Sequence, residues 1–253
     1  MSTRTYNDIA GWYDQYLRDN PLYREVILPN VLAMVGEVQG QEICDLACGQ
    51  GWIARELARR GAHVTGLELA RRGAHVTGLD LADNLLAMAQ QHETQEPLGI
   101  TYLHGDAQNG EPLADQSFDG ALCIMALMNI DDIRAAFQTT RRILKPGGWF
   151  AFAITHPCFQ TPHASWFTMD DGSVKRVVDG YFDERIWTSS NPHGVRGLVG
   201  EHHRMLSTYL NTLASAGFAL ERTLEPLATG ERARQEPGNQ GVPSLLLVRA
   251  RAL

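Results

Sequence analysis

The chain has 253 residues, and several features are scarce or missing. No apolar run approaches the roughly 20 residues needed for a membrane-spanning helix, so no membrane partner is expected. The first residues, MSTRTYNDIAGWYDQYLRDN, hold no apolar h-region, so no secretory signal is expected. There are only four cysteines, Cys44, Cys48, Cys123 and Cys158, with no C-x-x-C pair, which argues against a zinc site. Cys44 and Cys123 lie in apolar, strand-like runs and read as buried free thiols, in keeping with a reducing, cytoplasmic setting. Basic residues number 22 against 29 acidic ones, which argues against nucleic acid, where a basic patch is the usual footprint. Apolar residues make up 44%, enough to bury a sizeable core.

From residue 41 onward, short apolar runs alternate with helical stretches. EICDLA (42–47), AHVTGL, ITYLHGD (100–106), FDGALCI (118–124) and GWFAFAIT (148–155) read as strands. WIARELARR (52–60), LADNLLAMAQQH (81–92) and IDDIRAAFQTTRRILKPGG (130–148) read as helices, the last closed by Pro146 and two glycines. Alternation of this kind gives right-handed crossovers and a parallel sheet, an α/β fold that binds ligands at the carboxyl ends of its strands. Residues 156–200 break the rhythm with a long stretch rich in aromatics, glycine and proline, the mark of a cap or binding element. A helix over roughly 201–216 and a terminal strand pair, 218–226 and 243–252, follow. No linker is visible, so residues 1–253 read as one domain with a cap inserted at 156–200.

DLACGQGW (45–52) is a glycine-rich turn between a strand and a helix. Glycines let the backbone approach a ligand closely, and the helix start carries partial positive charge. Gly49-x-Gly51-x-x-Ala54 also fits the dinucleotide fingerprint, so a nicotinamide-dependent oxidoreductase is the alternative reading. Asp45 weighs against it. A carboxylate at the strand tip repels a pyrophosphate and favours a cationic ligand.

These residues resemble motif I, D-x-[AG]-C-G-x-G, of class I S-adenosylmethionine-dependent methyltransferases, and the resemblance runs over residues 42–154. It implies a Rossmann-like, doubly wound, mostly parallel seven-stranded sheet, with 1–35 as an N-terminal helical lid. It also implies S-adenosylmethionine as cofactor. In that family Asp45, Ala47, Gly49 and Gly51 would meet the cofactor. Asp80 would hold the ribose hydroxyls, and Leu81 would pack on the adenine. Asp106 and Ala107 would meet the adenine amine side, and Ile124 and Met125 would line the site. Asn129 stands where the family often has histidine. Tyr6 and Tyr13 would sit on a helix that closes over the cofactor, packing of an amphipathic helix being the alternative.

Twelve residues, ELARRGAHVTGL, occur at 56–67 and again at 68–79. One copy is the end of a helix plus a whole strand. The repeat therefore offers two registers for the second strand. Copy two can form it with Asp80 as the ribose acid, or copy one (62–67) can form it with Glu68 in that role. The first keeps Asp80 joined directly to its following helix and puts the surplus residues at the sheet end away from the ligand, where loop length costs little. It is the register expected.

Methyl transfer from a sulfonium is an in-line displacement that needs positioning and, for some acceptors, a base. His156 in ITHPCF and His203 in EHHRMLSTYLN are the catalytic candidates. The alternatives are a hydrogen-bonded brace for His156 and a helix-terminal polar group for His203. A small organic acceptor and a monomer or homodimer are expected. A scaffold whose cofactor site the repeat has disabled is a third possibility.

Overall fold

A computed structural model describes residues 4–61 and 74–253. Helix α1 (Tyr6–Asp19) opens on a capping box in which Thr5 and Asp8 cap each other's backbone N–H groups. A π-helical turn (Leu22–Ile27) runs straight into α2 (Leu28–Val35). The alternating region follows as β1 (Glu42–Leu46), α3 (Trp52–Gly61), β2 (His75–Asp80), α4 (Asp83–Gln95), β3 (Thr101–His104), β4 (Phe118–Ile124), α5 (Ile133–Ile143) and β5 (Leu144–Thr155). Residues 156–205 carry two small antiparallel ribbons, β6 (Ser165–Thr168) with β7 (Val174–Val177) and β8 (Ile186–Trp187) with β9 (Glu201–His202), and a short helix α6 (Val195–Val199). The chain closes with α7 (Leu206–Ser215), β10 (Phe218–Leu224), α8 (Gly230–Gln235) and β11 (Leu245–Ala252).

The main sheet has seven strands in the order β10-β11-β5-β4-β1-β2-β3. Strand β11 runs antiparallel to both neighbours, and the other pairs are parallel. Both faces are covered, so side-chain alternation along a strand sorts residues into two cores. Phe150, Phe152 and Ile154 of β5 join Phe137 of α5 and Phe218 of β10 on one face. Trp149, Ala151 and Ala153 turn to the other, with Val31 of α2 and Leu57 of α3. The strand order reverses at β1, between β4 and β2, and the crevice at that switch point is where such folds take ligands.

Strand β2 is the second copy of the repeat, paired with β1 from Glu42↔His75 to Leu46↔Leu79. Copy one from Ala62 onward, with Glu68, lies outside the described residues. Two helix ends lie five residues inside their expected positions. Helix α5 stops at Ile143, because Pro146 disfavours helical backbone before it and Leu144 already pairs with Phe118 of β4. The expected helix at 201–216 starts only at Leu206, because Glu201 and His202 pair with β8 instead.

Candidate active site

The turn after β1 follows its glycines. Gly49 has φ +57°, and its backbone N–H donates to Asp80 Oδ2 at 2.7 Å. Gly51 has φ +82°, and a Cβ there would fall 2.2 Å from the Tyr102 hydroxyl, so a side chain is doubly excluded. Ala47 (φ +55°) and Met125 (φ +57°), each just beyond a strand end, take the same left-handed backbone without being glycine. Such strain gathers at functional sites.

Two joined cavities open at these strand ends. The smaller, about 40 Å³, has Tyr13, Asp45, Cys48 and Trp52 in its wall. The larger, about 490 Å³, has Tyr6, Asp80, Leu81, Asp106, Ala107 and Asn129. Tyr13, Ala47, Gly49, Ile124 and Met125 belong to both. Of the expected cofactor residues, Gly51 alone stays out of both walls, because it lies beneath Tyr102.

The electrostatics centre on Asp45. It is 2% exposed, and its Oδ2 has no hydrogen-bond partner. Burial, and then the nearby charge of Asp80, push its carboxyl up to about 7. Asp80 is pushed up by burial too, but the N–H groups of Gly49 and Ala82, the latter 2.8 Å from Oδ1, hold it back. Asp106 is spanned by Gln108, whose backbone N–H and side-chain amide both donate to it at 2.9 Å.

Helix α1 forms one wall. The Tyr6 and Tyr13 rings meet edge-on at 5.1 Å, and burial raises both phenols well above their ordinary value. Asn84 of α4 binds Asn7 of α1 through two hydrogen bonds of 2.9 Å, which fixes the helix across the strand ends. The opposite wall comes from the segment between β5 and α7, through Ile186, Val199, Glu201 and His202.

The two candidate histidines lie outside the cavity walls. His156 is buried, with Nε2 2.7 Å from Glu225 Oε1 and Nδ1 accepting from the Cys158 N–H at 3.2 Å. It braces the end of β5 against the segment after β10. His203 Nε2 lies 2.9 Å from the Tyr181 carbonyl, and its backbone N–H donates to Arg185. Of the two histidines in EHHR, it is His202 and not the expected His203 that lines the cavity, 2.8 Å from Asp131 Oδ1. Glu201, not among the expected site residues, lines it too. Only the pairing of Glu201 and His202 with β8 turns them inward, and nothing local in the sequence announces a two-residue strand.

The donor set suits S-adenosylmethionine. A buried carboxylate oxygen without a partner calls for a cation, and Gly49 lets the backbone come close beside it. A diphosphate at this turn would meet both Asp45 and Asp80. Among the described residues no cluster of three or more His, Cys, Asp or Glu side chains could hold a metal ion. No described helix is long and apolar enough to cross a membrane.

Comparison with known proteins agrees. A family model described as a methyltransferase domain matches residues 67–152. The O-methyltransferase rstn1 of Aspergillus nomiae is 33% identical over 151 residues, a match covering 57% of this chain and 60% of that protein. A ubiquinone biosynthesis O-methyltransferase of Cronobacter sakazakii is 23% identical over 78% of this chain and 81% of its own length. The crystal structure of an S-adenosylmethionine-dependent methyltransferase from Mesorhizobium loti superposes with a TM-score of 0.73 at 32% identity, over 93% of this chain and 99% of that one. The chain therefore belongs to the class I S-adenosylmethionine-dependent methyltransferases, with S-adenosylmethionine as its cofactor.

Proposed function

We propose that this protein transfers the methyl group of S-adenosylmethionine to a small organic acceptor held between α1 and the cap. The observation that carries this reading is the partnerless buried oxygen of Asp45 at the tip of β1. The bound cofactor supplies a methyl group on a positively charged sulfur. Asp45, Ala47 and Gly49 meet its amino-acid end in the small cavity. Asp80, tied to Gly49 and Ala82, offers its remaining lone pairs to the ribose, and Gly51 keeps the turn in shape under Tyr102. Leu81, Asp106, Ala107, Ile124 and Met125 embrace the adenine side. Tyr13 closes over the junction of the two cavities.

The acceptor occupies the remaining part of the large cavity, against Tyr6, Asn129 and the cap. That cavity suits a small molecule. The chief task of these residues is to hold nucleophile and methyl in line and to exclude water. A melting-temperature shift with S-adenosylhomocysteine and none with NAD tests the cofactor choice. Transfer of labelled methyl to a metabolite panel then tests the reaction. A shift with NAD alone would sink the proposal.

A further inference from the structure

One buried acid of the large cavity has no part in holding the cofactor. Glu201 is 7% exposed, in the short strand β9 that pairs with Trp187 of β8. Carboxylates are seldom so buried without a reason. Arg196 Nε lies 2.6 Å from its Oε1, and the same guanidinium stacks 4.6 Å from the Trp187 ring centre. Ion pair and stacking together hold the arginine beside one carboxylate oxygen.

The other polar groups on this side are engaged elsewhere. Asp131 is largely exposed and tied to His202, while His156 and His203 are locked outside the cavity. Tyr6 of α1 and Asn129, just beyond β4, line the same cavity. Tyr6, Asn129 and Glu201 therefore surround one stretch of space, next to the cofactor end marked by Asp80.

We propose that Glu201 is a catalytic residue, the base that takes the proton from the acceptor's oxygen or nitrogen, and that Arg196 is its positioning partner. The inference rests on the methyl-transfer reading above. As the nucleophile's lone pair forms its bond to the methyl carbon, the carbon–sulfur bond breaks and its electron pair stays on sulfur as a neutral thioether. The acceptor's O–H or N–H bond breaks, and the proton passes to the Glu201 carboxylate and later to solvent. Burial raises the proton affinity of Glu201 despite the arginine, which suits a base.

The test compares wild type, Glu201→Gln and Glu201→Asp. Calorimetry measures S-adenosylhomocysteine binding, and labelled methyl transfer is followed to phenols, catechols, carboxylic acids and amines. The glutamine variant keeps the shape and should bind S-adenosylhomocysteine within about twofold of wild type. Its kcat should fall by ~100-fold or more with KM little changed. The aspartate variant should recover part of the rate. A glutamine variant that methylates within about threefold of wild type overturns the assignment. So does one that loses S-adenosylhomocysteine binding in step with its rate, because Glu201 is then a cofactor residue. A wild type that binds S-adenosylhomocysteine but methylates no member of the panel also overturns it. A wild type that does not bind S-adenosylhomocysteine instead fails the underlying methyl-transfer reading.

Discussion

The side chain of Asp80 accepts the backbone N–H of Gly49 at 2.7 Å, joining the tip of the second strand to the glycine turn after the first. The same carboxylate accepts from Ala82 at 2.8 Å, so it also starts the path into α4. One residue thus sets the spacing between turn, strand and helix.

Replacing Asp80 by alanine strands two backbone donors and should cost about 1–3 kcal/mol of stability. It should also weaken S-adenosylhomocysteine binding by ~100-fold, because the proposed ribose partner goes with it. Glu68→Ala, outside the described residues, should leave that affinity unchanged. Titration calorimetry on both variants checks the pair, and the opposite pattern would reject Asp80 as the ribose acid.

As the proposed partner of the cofactor's amino group, Asp45 should make cofactor binding depend on pH. Burial raises its carboxyl to about 7, so in the free protein it holds its proton below that value. A cationic amino group prefers the carboxylate. Affinity should therefore be flat above pH 7 and fall about tenfold per unit below it, with one proton released on binding. The sign for folding is the reverse. A carboxyl raised in the folded state favours folding at low pH, and that contribution is lost as pH climbs from its ordinary value of 3.8 to about 7. Asp45→Asn should remove both trends, raising the melting temperature at pH 8 while abolishing S-adenosylhomocysteine binding. Pressing the same titrations across pH 5.5–8.5 gives the answer, and a pH-independent wild-type affinity would contradict it.

Deleting residues 62–73 should leave the cofactor site intact. The cut joins Gly61, the last residue of α3, to Ala74, just before β2, and restores a single ELARRGAHVTGLD. S-adenosylhomocysteine affinity should stay within about threefold and the melting temperature should not drop. A deletion variant that no longer binds would mean the surplus residues serve the site.

His156→Ala should act on stability and spare the site. Its ring is buried and bonded at both nitrogens, to Glu225 and to the Cys158 N–H. Removal should cost about 1–3 kcal/mol in denaturant unfolding while S-adenosylhomocysteine affinity stays within about twofold. An unchanged unfolding midpoint with a lost methylation rate would return His156 to the chemistry.

The sequence by itself determined the alternating core of the fold. EICDL and FDGALCI are apolar runs that only a strand covered on both faces explains, and both form where expected, as β1 and β4. The glycine turn, Asp45 and Asp80 were legible because their chemistry is local: a tight turn needs glycine, and a strand tip next to it is a fixed place. The tertiary structure decided the register of the duplicated strand, since both copies carry the same letters and only pairing with β1 and the Gly49 bond distinguish them. It also decided which cap residues face the cavity. In EHHR the facing of Glu201 and His202 comes from pairing with β8, and Arg204 is drawn to the carbonyls of Leu127, Ile130 and Asp131, some seventy residues away. Local periodicity carries no record of such partners, because a two-residue strand has its energy in the contact and not in its own sequence.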